Sequence, residues 1–199
     1  MSYRIRTARS EDTAALAAIY APFVTDTIVS FEFEAPSVEE FQRRIEATSA
    51  AFAYVVAEVV ESGEIAGYAY YGTLRSRPAY QWAAETSIYL SPAHQGRGLG
   101  SVLVEAIERL MAAQGIALSV ACITSDNTGS IAFHERLGYE HCGEFCNCAF
   151  KLGRWLSVTW MEKQLHPCTE PPAERRTLTD ADIEPVLAAA NERLAAGGR

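Results

Sequence analysis

Seven consecutive residues, Gln95-Gly96-Arg97-Gly98-Leu99-Gly100-Ser101, have the types and spacing to hold an anion. Glycine reaches positive φ and puts no side chain between the main chain and a ligand. Where such a turn opens a helix, the unpaired N–H groups of the first turn and the helix dipole both face negative charge, so a phosphate or pyrophosphate is the expected guest. The stretch lacks the Gly-Lys-Ser/Thr ending of a Walker A loop, and its mid-chain Gly96-x-Gly98-x-Gly100 is not the G-x-G-x-x-G of a dinucleotide-binding unit. Two further side chains offer acid–base chemistry. Glu85 stands in the weakly polar run Trp82-Ala83-Ala84-Glu85-Thr86-Ser87, and His134 in the run from Ser125 to Tyr139. A carboxylate takes a proton from a nucleophile, and an imidazole exchanges one near neutral pH. Each also has a plainer reading, Glu85 as a strand carboxylate paired with an arginine and His134 as a structural helix residue.

Local elements must place these groups. Glu85 to Leu90 reads as a strand stopped by Ser91-Pro92, and Leu99, Val102, Leu103, Ala106, Ile107 and Leu110 repeat at helix spacing. The glycines therefore sit on a strand-to-helix turn. Ahead of it, Tyr3 to Thr7 alternates as a first strand, and a helix starts near Ser10 and bends or ends near Pro22. Thr27 to Phe33 offers Phe31 and Phe33 as core or pocket walls. Ser37 caps a second helix to about Ala47, and Phe52–Val60 and Glu64–Tyr71 form a hairpin around Ser62-Gly63. Behind the loop, Gly115 ends the helix and Ile116–Ile123 is a buried strand. Asp126-Asn127 opens a short helix to Arg136, and Tyr139–Ala149 pairs with Trp155–Glu162. The order is β-α-α-β-β-β-α-β-α-β-β.

Bulk properties narrow the partners. The 199 residues divide simply into a domain at 1–165 and a tail at 166–199, a Pro/Glu/Arg-rich linker followed by an amphipathic helix from Thr179 to about Ala195. That tail has no evident chemistry and is expected to stay mobile or pack on a partner subunit. A net charge of −8 with no basic run argues against a nucleic-acid partner. No apolar run is long enough to span a bilayer, and the N-terminus lacks a signal-peptide centre, so a cytoplasmic location is expected. The five cysteines, Cys122, Cys142, Cys146, Cys148 and Cys168, form neither a disulfide framework nor the paired ligands of a zinc site, and no metal is expected.

The pattern Q-x-x-G-x-G at Gln95–Gly100 resembles the acetyl-coenzyme A pyrophosphate loop of the GNAT acyltransferase superfamily. The run Asn127-Thr128-Gly129-Ser130 through His134-Glu135-Arg136-Leu137-Gly138-Tyr139 resembles the superfamily's later helix. The resemblance implies an α/β (α+β) fold, a mixed and mostly antiparallel sheet flanked by helices. It further implies that acetyl-CoA is the cosubstrate, with its pyrophosphate on Gln95, Gly96, Arg97, Gly98, Leu99, Gly100 and Ser101. The pantetheine arm would lie against the main chain of Ile88, Tyr89 and Leu90, where the strand before the loop parts from the next. Asn127 and Ser130 would contact that arm, and Asn127 also reads as a helix cap. His134 replaces the tyrosine that many members place near the sulfur.

A narrower resemblance covers about residues 3–165. Ala79-Tyr80-Gln81-Trp82-x-x-Glu85-x-Ser87-x-Tyr89-x-Ser91-x-x-His94-Gln95, then His134-Glu135-x-Leu137-Gly138-Tyr139 and Gly153-x-Trp155, is similar to the phosphinothricin and methionine sulfoximine/sulfone N-acetyltransferases. It implies transfer of acetyl to the α-amine of a small amino-acid-like substrate. Arg75, Ser76 and Arg77 would hold its anionic groups, alongside Glu85, Thr86, Ser87 and His134; guanidinium suits carboxylate or phosphinate. Arg75 and Arg77 also read as ordinary surface-loop residues. Glu85 would deprotonate the amine, His134 would act as acid, base or substrate contact, and a homodimer is implied. Cys122 as an acyl-carrying nucleophile is disfavoured, since no histidine adjoins it. Acetylation of protein N-termini or another small amine, or a non-catalytic acetyl-CoA sensor, are the alternatives. The stretch Cys146-Asn147-Cys148-Ala149-Phe150-Lys151-Leu152 departs from the group's pattern and leaves acceptor choice open.

Overall fold

The computed structural model describes residues 1–197. Its strands are β1 (Tyr3–Thr7), β2 (Tyr54–Val59), β3 (Ile65–Thr73), β4 (Ala83–Leu90), β5 (Leu118–Thr124), β6 (Glu140–Lys151) and β7 (Arg154–Gln164). Its helices are α1 (Thr13–Thr25), α2 (Val38–Ser49), α3 (Leu99–Ala113), α4 (Thr128–Arg136) and α5 (Asp180–Ala195). One seven-stranded sheet runs β1-β2-β3-β4-β5-β7-β6. Every neighbouring pair is antiparallel except β4 with β5, so the sheet is mixed as expected.

Strand alternation explains why both faces are covered. β2 is buried at every residue. Val55 and Ala57 point to one side and pack under Leu103, Ile107 and Leu110 of α3. Tyr54 and Val56 point to the other, where Leu16, Tyr20 and Val24 of α1 and Phe41 and Ile45 of α2 cover them. α4 closes a third cluster of Val104, Ala121, Ile123, Tyr139 and Met161 on the α3 side. α1 ends one turn after Pro22, whose carbonyl accepts from Asp26 N–H at 2.9 Å. The Ser37 hydroxyl caps α2 by accepting from Glu40 N–H at 3.2 Å. Phe33 is 75% exposed and belongs to neither core nor pocket.

The tail is placed differently from the sequence expectation. α5 packs on α3 and β1 of its own chain, with Ile183, Val186, Leu187 and Leu194 against the core. Its Asn191 side chain meets the free edge of β1, Oδ1 accepting from Ile5 N–H at 2.6 Å and Nδ2 donating to Ile5 O at 3.0 Å. An edge strand's open main-chain groups are thereby satisfied within the chain. Among the described residues no helix is long and apolar enough to cross a membrane.

Candidate active site

Main-chain pairing creates the site. β4 pairs with β3 along its length, from Ala84↔Thr73 to Leu90↔Gly67, and β5 pairs with β7 from Leu118↔Gln164 to Thr124↔Val158. β4 and β5 pair only at Ala83↔Leu118, Ala84↔Ser119 and Glu85↔Val120. Beyond Glu85 they part, and the β5 side of Thr86–Leu90 has no strand partner. Ser91 N–H donates to Ala66 O at 2.9 Å. By alternation, the main-chain groups of Ile88 and Leu90 face the gap, while those of Tyr89 face β3. Leu90 O accepts from Gln95 Nε2 at 3.4 Å, tying the strand end to the glycine loop.

The loop has the form of an anion cradle. Gly96 and Gly98 hold φ of 71° and 79°, a left-handed conformation that a side chain would strain. Gly98 is the N-cap of α3, and the first helical bond is Val102 N–H to Gly98 O at 3.4 Å. The N–H groups of Leu99, Gly100 and Ser101 precede that bond and have no acceptor inside the helix. A Cβ on Gly96 would meet open space, whereas one on Gly100 would lie 3.2 Å from the Phe133 ring. Gly100 thus lets α3 and α4 pack closely. His94 anchors the loop from behind, bridging the Tyr3 hydroxyl and Glu64 at 3.1 Å each. Gap and cradle adjoin at the end of β4, where Gln95 meets Leu90 O.

Where the strands part, a cavity of about 520 Å³ opens, lined among others by Tyr20, Phe31, Glu32, Glu85, Ser87, Cys122, Asn127, Ser130 and His134. Burial raises the Glu85 carboxyl above its usual range, with the opposing pull of Arg75 the smaller effect. Cys122 lies in the same cavity, and enclosure and the Glu85 charge push its thiol up to about 12, so it stays protonated. Burial lowers His134, with a smaller opposing contribution from its bond to Ser130. His134 Nδ1 lies 2.9 Å from Ser130 O. A carbonyl only accepts, so Nδ1 carries the proton and the neutral ring keeps a lone pair on Nε2. Asn127 caps α4, its Oδ1 accepting from Ser130 N–H at 3.2 Å.

The loop from Thr27 to Glu32 supplies one cavity wall through Val29 to Glu32 and is held from four elements. Thr124 Oγ1 donates to Ile28 O at 2.7 Å, and the Tyr20 hydroxyl donates to Glu32 at 2.7 Å and contacts Ser30 Oγ at 2.7 Å. Arg44 pairs with Glu32 at 2.8 Å. Lys151, only 5% exposed, donates to Val24 O at 2.6 Å and Ser30 O at 2.5 Å. Burial lowers its pKa, and Glu32 opposes that.

The candidate residues are not all together. Glu85, Thr86, Ser87, Ile88, Tyr89, Asn127, Ser130 and His134 line the cavity. Thr86 spends its hydroxyl on Val120 O at 3.2 Å. Gln95 to Ser101 lie outside the cavity, around the start of α3. Arg75 is exposed, 5.4 Å over the Trp160 ring and in electrostatic range of Glu85, and Ser76 and Arg77 are exposed beside it, outside the cavity lining. Tyr20, Ser30, Glu32, Thr124 and Lys151 were missed. They sit far apart in sequence, and only Lys151, beside the Gly153-x-Trp155 motif, carried a signal. Near it, β6 shifts register between Phe145 and Ala149, with Asn147 at φ 49°.

Comparison with known proteins agrees with this geometry. The family described as acetyltransferase (GNAT) domain matches residues 5–160. A phosphinothricin N-acetyltransferase of Streptomyces viridochromogenes is 34% identical, the match covering 88% of this chain and 94% of the relative. An L-methionine sulfoximine/L-methionine sulfone acetyltransferase of Pseudomonas paraeruginosa is 33% identical, covering 86% and 100%. Among solved structures, a GNAT superfamily phosphinothricin acetyltransferase of Sinorhizobium meliloti in complex with AcCoA has a TM-score of 0.82 at 32% identity, covering 88% of this chain and 94% of that one.

Proposed function

The chain belongs to the GNAT acetyltransferase family and is an acetyl-CoA-dependent N-acetyltransferase; we propose that its acceptor is the α-amine of a small amino-acid-like molecule such as phosphinothricin or methionine sulfoximine or sulfone. The observation that carries this reading is a half-buried, cavity-lining carboxylate, Glu85, standing where β4 and β5 separate, with the Arg75 guanidinium in electrostatic range.

In the proposed direct transfer, Glu85 takes one proton from the acceptor ammonium, directly or through water, and burial makes it a stronger base than an exposed carboxylate. The freed nitrogen attacks the thioester carbon. Main-chain N–H groups of Ile88 and Leu90 face the gap and stabilise charge on the carbonyl oxygen. The C–S bond breaks, and the nitrogen's second proton goes to the thiolate. His134 serves that transfer by taking the proton at Nε2 and returning it to sulfur, since its Nδ1 proton is committed to Ser130 O. Arg75 and Arg77 pair with the acceptor's carboxylate or side-chain anion, and Ser76, Ser87 and the Thr86 main chain complete that side. Gln95 to Ser101 hold the pyrophosphate. Asn127 and Ser130 contact the pantetheine arm, Asn127 through the Nδ2 its capping role leaves free.

We further place the enzyme in the cytoplasm, consistent with five unpaired cysteines, and as a homodimer. The edge strand β6 and its neighbour β7 support a dimer by exposing Phe145, Phe150 and Trp155; light scattering at micromolar concentration tests it. A thiol-release assay over an amine panel tests the acceptor. Release with phosphinothricin or methionine sulfone supports this reading. Release with peptides alone would favour protein N-termini, and release with nothing would favour a sensor.

A further inference from the structure

The segment after β7, and α5 with it, lies beyond the family match, which ends at residue 160. The chemistry proposed above uses none of it. We propose that this extension positions the acceptor loop, residues 74–81, through Arg175 and Ala173. The inference rests on reading Arg75 and Arg77 as acceptor-binding.

The loop is exposed along almost its whole length and makes little structure of its own. Inside it, Arg75 donates to Leu74 O, Tyr80 N–H to Arg77 O and Gln81 N–H to Pro78 O. Among the described residues, its one hydrogen bond to any other part of the chain comes from Arg175, whose guanidinium donates to Gln81 O at 3.2 Å. The next residue, Trp82, donates Nε1 to Ala173 O at 2.7 Å. Without these two bonds the loop would be held at its two ends, where it leaves β3 and where Trp82 O meets the start of β5, and by the Arg75 guanidinium over Trp160.

The strap that makes these bonds is itself fixed. Arg175 lies 5.0 Å over the Phe52 ring, and Arg176 N–H donates to Gln114 O at 3.2 Å. Glu174 O passes so close to Gly115 that a Cβ there would stand 2.7 Å from it. Arg176 pairs with Asp182 at 2.7 Å, and Thr179 and Asp182 cap α5, which docks on the core. The strap meets Trp82 through the indole alone, and the Trp82 main chain is held separately. Trp82 O accepts from Ala117 and Leu118 N–H, where β4 and β5 begin their short pairing, three residues before Glu85. A loop so held presents its arginines in one orientation, and loosening it adds an ordering cost to acceptor binding alone.

The test compares Arg175→Ala, Trp82→Phe, Arg175→Lys and Arg75→Ala in the full-length chain, with methionine sulfone as acceptor. Losing one such bond corresponds to about a fivefold rise in acceptor KM for R175A and W82F. The KM for acetyl-CoA and kcat should stay within about twofold, because neither residue meets the gap or the glycine loop. R175K keeps a donor and a cation over Phe52 and should restore the acceptor KM. Trypsin cleavage after Arg75 should accelerate in R175A and W82F and return to normal in R175K. If R75A raises the acceptor KM while R175A and W82F leave both KM and cleavage unchanged, the strap does not position the loop. A parallel change in both KM values and kcat would also overturn the proposal. If R75A leaves the acceptor KM unchanged, the loop does not bind the acceptor, and the proposal falls with that reading.

Discussion

Replacing Lys151 with methionine tests whether the cavity wall at Val29–Glu32 is held from the β6–β7 hairpin and takes part in acceptor binding. The Lys151 ammonium is buried and donates to two carbonyls, Val24 O in the last turn of α1 and Ser30 O in the cavity wall. Hydrogen bonds from a charged donor contribute about 1.5–3 kcal/mol each. Removing a buried cation recovers part of that, because its desolvation penalty is about several kcal/mol. Methionine fills a similar volume without charge, so the net loss is about 2 kcal/mol, or roughly 4–8 °C in Tm for a chain of this size. The freed loop carries Ser30, Phe31 and Glu32, so the acceptor KM should rise about tenfold. Acetyl-CoA KM should hold within about twofold, since Lys151 touches neither the glycine loop nor the gap. Differential scanning fluorimetry and steady-state thiol release read both effects. A Tm within about 1 °C of wild type together with an unchanged acceptor KM would refute the reasoning.

Three further outcomes follow from the same geometry. Gly98→Ala and Gly63→Ala both place a side chain on left-handed backbone, φ 79° and 74°, and each should cost about 1–2 kcal/mol of stability; only G98A should raise acetyl-CoA KM, and equal kinetics in the two would remove the cradle. Cys122→Ala should keep kcat within about threefold and show no acetyl-enzyme by intact mass, because the thiol stays protonated; loss of turnover would restore a covalent route. Glu85 has a folded-state pKa above its usual 4.5, so the folded chain holds that proton more tightly than the unfolded chain. Stability attributable to this group therefore falls as pH rises above 4.5, and Glu85→Gln should melt higher than wild type at pH 8; a lower melting temperature would contradict the burial argument.

The sequence made legible whatever depends on neighbours along the chain. The glycines at 96 and 98, the apolar face of α3 and the caps at Ser37 and Asn127 are local chemistry, and all appear where residue type and spacing put them. The gap between β4 and β5 is a different matter. β4 and β5 read as ordinary strands, and only their pairing, three residues and no more, shows that they separate. The resemblance carried that expectation; periodicity could not. Cavity walls were the least legible part, because Tyr20, Ser30, Thr124 and Lys151 meet only after four elements have packed. α5 shows the same division. Its amphipathic pattern predicted a helix, but its docking on α3 and the bond of Asn191 to Ile5, 186 residues away, come only with the fold.

The central claim is that Glu85 frees the acceptor nitrogen beside a thioester held where the sheet divides. The most direct test is the pH profile of kcat/KM for the acceptor at saturating acetyl-CoA, measured for wild type and Glu85→Gln. For wild type, activity should rise with pH through an apparent pKa above 4.5, the direction burial gives Glu85. E85Q should lose that limb and about a hundredfold in kcat, with unchanged acetyl-CoA affinity by calorimetry. An E85Q profile that keeps the limb and stays within about threefold of wild-type kcat would contradict the account.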